Sequence, residues 1–195
     1  MSTLAYLKSL IKDRNVASIT PSSRYTVQKV TRKIDFSRDL TIVEYGPGTG
    51  VFAEYLLEKM SPASRLIMIE LNPDFAEILR RINDPRVSVH QESAEQAEAI
   101  ARNCGAQQAD YILSGIPFSF LPPPVKDRIL SATHRLLRED GYFLAYQTST
   151  HLKEPIRKHF GKVDVSFEIR NIPPMCIYEA QKNGQMPGTA VNGEG

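Results

Sequence analysis

A glycine-rich turn between an apolar strand and a helix constrains this chain more than any other feature. Residues 43–50 read V-E-Y-G-P-G-T-G, and Glu70 follows twenty residues after the last glycine, at the end of the next apolar segment. Glycines at a strand end let the backbone approach a ligand, and an acid at the neighbouring strand tip can accept hydrogen bonds from ribose hydroxyls. The pattern therefore predicts a nucleoside site at the carboxyl edge of a parallel sheet.

The spacing of the glycines narrows the choice of ligand. Gly46, Gly48 and Gly50 give G-x-G-x-G, whereas dinucleotide sites use G-x-G-x-x-G and ATP loops use G-x-x-x-x-G-K-S/T. The favoured ligand is S-adenosyl-L-methionine (SAM), which carries an adenosine and a charged amino-acid tail but no phosphate. Its tail would pass the glycine backbone, and Glu44 is a candidate partner for its ammonium group. Glu70 suits the ribose because a carboxylate offers two acceptor oxygens.

The composition is that of an ordinary globular protein of one domain. The chain has 195 residues, of which 42% are hydrophobic and 24% charged. Its two cysteines, Cys104 and Cys176, are too few for a disulfide framework and lack zinc-site spacing, so that no metal is expected. The N-terminus shows no signal-peptide core, and no segment approaches the roughly 18 apolar residues of a membrane span. We therefore expect a cytoplasmic protein.

The charge is distributed unevenly along the chain. Residues 1–38 contain eight Lys or Arg against two Asp, whereas residues 39–110 contain six basic and twelve acidic side chains. Leu4, Leu7 and Ile11 share one helical face with basic residues on its flanks, which predicts a short amphipathic helix. A basic arm of this kind indicates an anionic partner, either a membrane surface or a nucleic acid; a solvated helix face is the alternative.

Strand and helix signals alternate over most of the chain. A second helix is predicted from Pro21, with Thr20 as its N-cap, to about Phe36. The predicted strands then cover 41–45, 65–70, 87–90, 111–115, 142–147, 163–170 and 176–181, and the helices 51–59, 73–82, 94–102, 124–137 and 152–160. This order predicts an α/β fold of the Rossmann-like kind, with a mostly parallel sheet, helices on both faces and an antiparallel pair at the end.

Three regions follow from this pattern. Residues 1–38 are predicted to form a basic helical segment, and residues 39–182 to form the α/β domain that holds the nucleoside site. Residues 183–195 are polar and glycine-rich and are expected to be a disordered tail.

Four segments taken together resemble a known family. They are residues 17–23 (A-S-I-T-P-S-S), 43–50 with Glu70, 113–118 (L-S-G-I-P-F) and 170–174 (R-N-I-P-P). The chain resembles the class I SAM-dependent methyltransferases over residues 4–181, and more narrowly the small bacterial phospholipid N-methyltransferases, which are akin to ribosomal RNA adenine dimethyltransferases. The glycine turn is shared across the superfamily, whereas its combination with S-G-I-P is more specific.

The resemblance implies a seven-stranded sheet in the order 3-2-1-4-5-7-6, with SAM over the ends of the first and fourth strands. It also implies that residues 39–182 form the methyltransferase domain and that residues 1–38 cover its site and dock on an anionic membrane. Residues 91–94 are expected along the adenine edge, where the family often has G-D-A and this chain has E-S-A, so that Ser93 offers only a hydroxyl. The residues expected to bind the cofactor are Glu44, Gly46, Gly48, Gly50, Glu70, Leu71, Ser93, Ala94 and Ser114.

The resemblance also implies a substrate. It is the headgroup amine of phosphatidylethanolamine, and of its mono- and dimethyl derivatives on the way to phosphatidylcholine. RNA adenine dimethyltransferases have asparagine where this chain has Ser114, which cannot hold an adenine amine with an amide oxygen, while Phe118 remains as an aromatic platform. The residues expected to bind the substrate are Arg24, Tyr25, Gly115, Ile116, Pro117, Phe118, Arg170, Asn171 and Tyr178.

The chain offers three candidates for a catalytic group and has a membrane as its expected partner. Tyr25, Tyr146 and His151 are candidates for a base or an amine-positioning group, and the sequence does not choose among them. The expected partner is an anionic phospholipid surface at the inner face of the cell membrane, bound through the basic N-terminal helix by a monomer, with no nucleic acid. The rivals are an RNA adenine N6-methyltransferase and a membrane-binding module that retains SAM without turnover.

Overall fold

One mixed sheet of seven strands organises residues 23–183, the part of the chain that the computed structural model describes. The strands are β1 (Thr41–Tyr45), β2 (Arg65–Ile69), β3 (Val87–His90), β4 (Ala109–Ser114), β5 (Leu137–Gln147), β6 (Asp164–Glu168) and β7 (Met175–Gln181). Their order is β3-β2-β1-β4-β5-β7-β6. All neighbours are parallel except β7, which is antiparallel to both β5 and β6. The predicted fold class and strand order are confirmed.

Helices cover both faces of this sheet. They are α1 (Arg24–Thr31), α2 (Val51–Lys59), α3 (Pro73–Leu79), α4 (Ala97–Asn103), α5 (Pro123–Leu136) and α6 (Lys153–Phe160), with 3₁₀ turns at Ala94–Gln96 and Phe118–Phe120. Because strand side chains alternate between faces, neighbours on β1 enter different cores. Val43 packs in the cluster that includes α4 to α6, and Ile42 packs in the cluster that includes α1 and α2. Within residues 23–183, no helix is long and apolar enough to cross a bilayer.

The helix α1 begins later and ends earlier than predicted. Its N-cap is Ser23, which has extended backbone angles and whose hydroxyl accepts a hydrogen bond from the Thr26 N–H at 3.3 Å. A residue in this conformation cannot continue a helix, so the predicted cap at Thr20 was wrong for this element. The amphipathic helix predicted near Leu4 and the tail after Asn183 lie outside the described residues.

Two other boundaries differ for local reasons. The helix predicted from residue 94 starts with a 3₁₀ turn, because Ser93 accepts a hydrogen bond from the Glu95 N–H, and α4 proper begins at Ala97. Strand β5 begins at Leu137, five residues before the prediction, where its polar R-E-D-G segment resembles a turn. Asp140 does adopt a positive φ of 62° there, yet Leu137 still pairs with Ala109.

Backbone hydrogen bonds link the residues that follow the carboxyl ends of the central strands. The Gly46 N–H donates to the Ile69 carbonyl and the Gly115 N–H donates to the Tyr45 carbonyl, each at 2.9 Å, and the Glu70 N–H donates to the His90 carbonyl at 3.0 Å. The strand order reverses here, since β1 lies between β2 and β4. A sheet of this kind binds ligands at such a switch point.

Candidate active site

The glycine turn leaves an open space beside the backbone between β1 and α2. Gly46, Gly48 and Gly50 all have positive φ, at 61°, 58° and 85°, a region that favours glycine. A Cβ added at Gly48 would meet no atom within 4 Å, whereas one at Gly46 would lie 3.2 Å from the Ile116 side chain. The turn thus presents bare main chain to a cleft on one side and packs against the β4 loop on the other.

Glu70 is fixed against this turn at the end of β2. Its Oε2 accepts a hydrogen bond from the Gly48 N–H at 3.0 Å, and its Oε1 accepts one from the Asn72 N–H at 2.9 Å. Burial raises the pKa of Glu70, while the N–H groups of Asn72, Gly48 and Leu71 act in the opposite direction. Each carboxylate oxygen retains a second lone pair, so the acid can accept further hydrogen bonds from a ligand.

Glu44 is a buried acid on β1 without an internal partner. Its side chain is fully buried, and neither carboxylate oxygen has a hydrogen-bond partner among residues 23–183. Burial, and secondly the negative charge of Glu70, raise its pKa to about 8. A buried carboxyl group without a partner is unfavourable, and a ligand cation would relieve that cost. The orphaned acid, the open glycine turn and the Glu70 acceptor together fit the ammonium, tail and ribose of SAM.

Tyr146 meets the glycine turn across the loop that follows β4. A Cβ added at Gly115 would lie 2.6 Å from the Tyr146 hydroxyl and 2.9 Å from the Gly46 carbonyl oxygen. The Tyr146 ring is buried and stacks on Phe52 with the ring centroids 4.6 Å apart. Of the three candidate bases, Tyr146 is therefore the one whose hydroxyl lies at the junction of the β1 and β4 loops.

We expect Gly115→Ala to lower the free energy of unfolding by about 2 kcal/mol and to reduce methyl transfer more than tenfold. The added methyl group must displace either the Tyr146 hydroxyl or the backbone of Gly46, and both border the cleft. Chemical denaturation and initial rates measure the two effects. Ser119→Ala, in an exposed position of the same loop, is the control; a Gly115→Ala protein with unchanged stability and rate would contradict this geometry.

The two serines predicted to contact the cofactor are engaged in local turns. The Ser93 hydroxyl accepts from the Glu95 N–H at 3.3 Å and donates to Glu95 Oε2 at 3.2 Å. The buried Ser114 hydroxyl accepts from the Ile116 N–H at 3.3 Å. Ala94 is buried and Leu71 half-buried. The side chains of both serines therefore shape the loops that border the cleft, and a ligand contact remains a prediction.

Arg24, Tyr25 and Arg170 come together in three dimensions although α1 and the β6–β7 loop are distant in sequence. The Arg170 guanidinium carbon lies 4.2 Å and that of Arg24 5.0 Å from the centroid of the Tyr25 ring. Arg24 Nη2 donates to the Tyr25 hydroxyl at 3.2 Å and lowers the pKa of this phenol. Arg170 also donates to both carboxylate oxygens of Glu168, at 2.7 and 2.8 Å, which lowers the pKa of Glu168 to about 2.

Asn171 and Tyr178, also predicted to bind substrate, are engaged in internal hydrogen bonds. Asn171 Oδ1 accepts from the Ser23 N–H at 2.8 Å and from the Thr26 hydroxyl at 3.0 Å, which ties α1 to the β6–β7 loop. The Tyr178 ring is fully buried, and its hydroxyl donates to the Ser149 carbonyl at 2.6 Å. Both side chains therefore hold the scaffold of the site.

The predicted aromatic platform, Phe118, lies in the core. It is buried edge-on against Phe143, and its N–H donates to Gln147 Oε1 at 3.1 Å. Phe120, two residues later on the same 3₁₀ turn, is instead half-exposed. Sequence reasoning missed Phe120, although the F-S-F pattern contains both aromatic side chains. The remaining loop residues, Ile116 and Pro117, are half-buried, and His151 is exposed on the turn after β5.

Comparisons with known proteins agree with this geometry. A family model described as a methyltransferase domain matches residues 42–141, which contain the glycine turn, Glu70 and the β4 loop. The chain belongs to the class I SAM-dependent methyltransferases. The predicted resemblance is confirmed, and SAM is the cofactor.

Two relatives and one solved structure show how far the similarity extends. The ornithine lipid N-methyltransferase of Singulisphaera acidiphila is 28% identical over 84% of this chain and 86% of its own length. The ribosomal RNA small subunit methyltransferase A of a Burkholderia species is 26% identical over 70% of this chain and 51% of its own length. The match therefore spans about half of that relative. The crystal structure of 1,6-didemethyltoxoflavin N1-methyltransferase from Burkholderia thailandensis, which contains S-adenosylhomocysteine, has a TM-score of 0.68 at 19% identity and covers 93% of this chain and 87% of its own.

Proposed function

We propose that this methyltransferase methylates the headgroup amine of a membrane lipid at the inner face of the cell membrane. The substrates are phosphatidylethanolamine and its mono- and dimethyl derivatives on the way to phosphatidylcholine. The observation that carries the proposal is the similarity to an ornithine lipid N-methyltransferase over most of both chains. That relative also favours a second candidate headgroup, ornithine, which has an amine and a carboxylate in place of an amine and a phosphate.

Both candidate headgroups contain an amine and an anion, and this edge of the sheet offers side chains suited to each. Arg24 and Arg170, on either side of Tyr25, would bind the phosphate or carboxylate, because guanidinium groups match these anions with paired donors. The Tyr146 hydroxyl, beside Gly46 and Gly115, would orient the amine. The proposal thus assigns the anion to the rim and the reacting nitrogen to the cleft.

The main chemical task of the chain is to bind a neutral amine and exclude water. A primary alkylammonium has a pKa of about 10 and no free lone pair in its charged form. The buried ring of Tyr146 stacks on the buried Phe52, and removal of water beside such apolar rings favours the neutral amine. When bound, SAM supplies the methyl group already activated on a sulfonium, so positioning by the chain accounts for most of the catalysis.

Two features favour lipid over RNA. Ser114 has a buried hydroxyl engaged with the Ile116 N–H, and it lacks the amide oxygen with which an asparagine would hold an adenine amine. Phe118 packs in the core and so presents no free face to a flipped base. The rival RNA methyltransferase and a SAM-binding membrane module without turnover are separated from the proposal by the assay below.

The decisive experiment uses purified protein and methyl-labelled SAM. The acceptors are anionic vesicles with phosphatidylethanolamine, anionic vesicles with an ornithine lipid, and RNA, each offered separately. We expect label in a lipid amine and none in RNA, and the preferred vesicle identifies the headgroup. Glu70→Ala protein serves as the negative control. Label in RNA alone would replace the proposal with the RNA activity, and label in no acceptor despite SAM binding would favour the module.

A further inference from the structure

The hairpin of β6 and β7 exposes three large apolar side chains, one near the end of β6 and two in the loop that follows. Phe167 is 54% exposed, Ile169 77% and Ile172 82%. In the part of the chain that the structure describes, only Ile78 on α3 and Phe120 are other large apolar side chains of comparable exposure, at 42% and 49%. Exposed apolar side chains gathered on one hairpin mark an interaction surface rather than chance exposure.

This hairpin projects from the edge of the sheet that holds the cleft. Gln147 at the carboxyl end of β5 pairs with Cys176 near the start of β7, and Glu168 pairs with Met175, so the loop between them extends beyond the strand ends. That edge also holds the glycine turn and the β4 loop. A surface docked on the hairpin would therefore face the entrance to the cleft.

Internal hydrogen bonds hold the loop in one shape. Glu168 Oε1 accepts from the Arg170 N–H at 2.9 Å, and Asn171 Nδ2 donates to the Pro173 carbonyl at 2.9 Å. Asn171 Oδ1 is at the same time bound to the Ser23 N–H. The two isoleucines on either side of Asn171 are thus presented outward by a braced backbone, which lowers the entropy cost of binding.

Basic side chains surround the apolar ones. Arg170 lies between Ile169 and Ile172 in sequence. The guanidinium groups of Arg24 and Arg170 both lie over the Tyr25 ring, and Lys29 donates a hydrogen bond to the Phe167 carbonyl. Glu168 is the one acidic partner in this group, and Arg170 neutralises it. Protruding apolar side chains among cations complement the boundary between anionic headgroups and acyl chains.

We propose that the tip of the β6–β7 hairpin, with Phe167 on β6 and Ile169 and Ile172 in the loop, inserts shallowly into an anionic lipid bilayer and orients the cleft toward the headgroups. This docking does not depend on the predicted N-terminal helix. Only the orientation of the cleft toward the headgroups rests on the proposed function. A bilayer is favoured over a protein partner because Arg24, Arg170 and Lys29 lie beside the exposed apolar side chains, and their charges complement anionic headgroups.

The test replaces Ile169 and Ile172 together by serine and measures sedimentation with anionic and with neutral vesicles. Both side chains are mostly exposed, so the fold should persist, as circular dichroism and SAM binding would show. We expect the partition constant for anionic vesicles to fall about tenfold or more. Ile78→Ser is the matched control and should bind as the wild type does. Unchanged sedimentation of the double variant, or a wild type that fails to bind, would overturn the proposal.

Turnover separates this proposal from the proposed function. The double variant should methylate a dispersed short-chain phosphatidylethanolamine at the wild-type rate and lose activity only on vesicles. If no lipid is methylated but the variant still loses vesicle binding, docking stands and the lipid substrate falls. If the wild type instead self-associates without vesicles and the serine variant does not, the loop is a contact between copies, and the docking proposal is wrong.

Discussion

Glu70→Ala is expected to lower the affinity for SAM by about two to three orders of magnitude while the protein remains folded. Its carboxylate holds the Gly48 N–H and the Asn72 N–H and is the acceptor proposed for the ribose hydroxyls. Hydrogen bonds to a charged group contribute about 1.5–3 kcal/mol each, and about 1.4 kcal/mol corresponds to a tenfold change in affinity. Isothermal titration calorimetry measures this loss.

Two further variants make the result interpretable. Glu77→Ala removes an exposed acid from the neighbouring helix α3 and should leave SAM binding unchanged. Glu70→Gln keeps an acceptor oxygen beside Gly48 and should lose less affinity than the alanine variant. Wild-type affinity in Glu70→Ala would remove this residue from the site, whereas loss of cooperative thermal unfolding would assign it a structural role.

Glu44→Gln is expected to raise the free energy of unfolding of the ligand-free protein at pH 8 by about 2–4 kcal/mol, because each pKa unit corresponds to about 1.4 kcal/mol. Burial raises the pKa of Glu44 from 4.5 to about 8. The native state therefore holds a proton that the unfolded chain releases, and the stability of the wild type declines as the pH rises between these two values. Chemical denaturation should give nearly equal stabilities at pH 4.5 and a difference that grows toward pH 8. A difference independent of pH would show that Glu44 is not protonated in the fold.

The same variant tests the contact with the cofactor. If the SAM ammonium pairs with Glu44, binding near pH 7 must release about one proton, because the cation stabilises the charged carboxylate. Titrations in buffers of different ionisation enthalpy report this number directly. Glu44→Gln should bind SAM more weakly and release none. Equal proton release by both proteins would move the ammonium contact away from Glu44.

The sequence predicted the fold, and the approach of Glu70 to the glycine turn, because both depend on local patterns. The glycine turn, the strand tip at Glu70 and the alternation of elements are written in short segments, and the strand order followed from a family resemblance. The choice between Phe118 and Phe120 was missed because a tight turn decides which of two aromatic side chains enters the core. The isolation of Glu44 depends on residues from several elements, so no local pattern could reveal it.

The sequence also could not predict that Arg24 and Arg170 lie over the same Tyr25 ring, because this contact joins distant parts of the chain. The two residues belong to α1 and to the last hairpin, and their approach depends on the β5–β7 pairing and on the amide of Asn171. The N-cap of α1 was mispredicted for another reason, because the capping rule fits several residues near the start of this helix. Threonine and serine are both good caps, and tertiary contact with Asn171 coincides with Ser23.

A single amide joins the start of α1 to a hairpin that lies 148 residues further along the chain. Because Asn171 accepts from both Ser23 and Thr26 and also donates to Pro173, the two guanidinium groups nearby are anchored to one frame. The Asn171 amide therefore couples α1 to the β6–β7 loop. If Arg24 and Arg170 bind the anion of the proposed lipid substrate, exchanging these two side chains should alter the choice of headgroup more than lengthening the loop between β6 and β7.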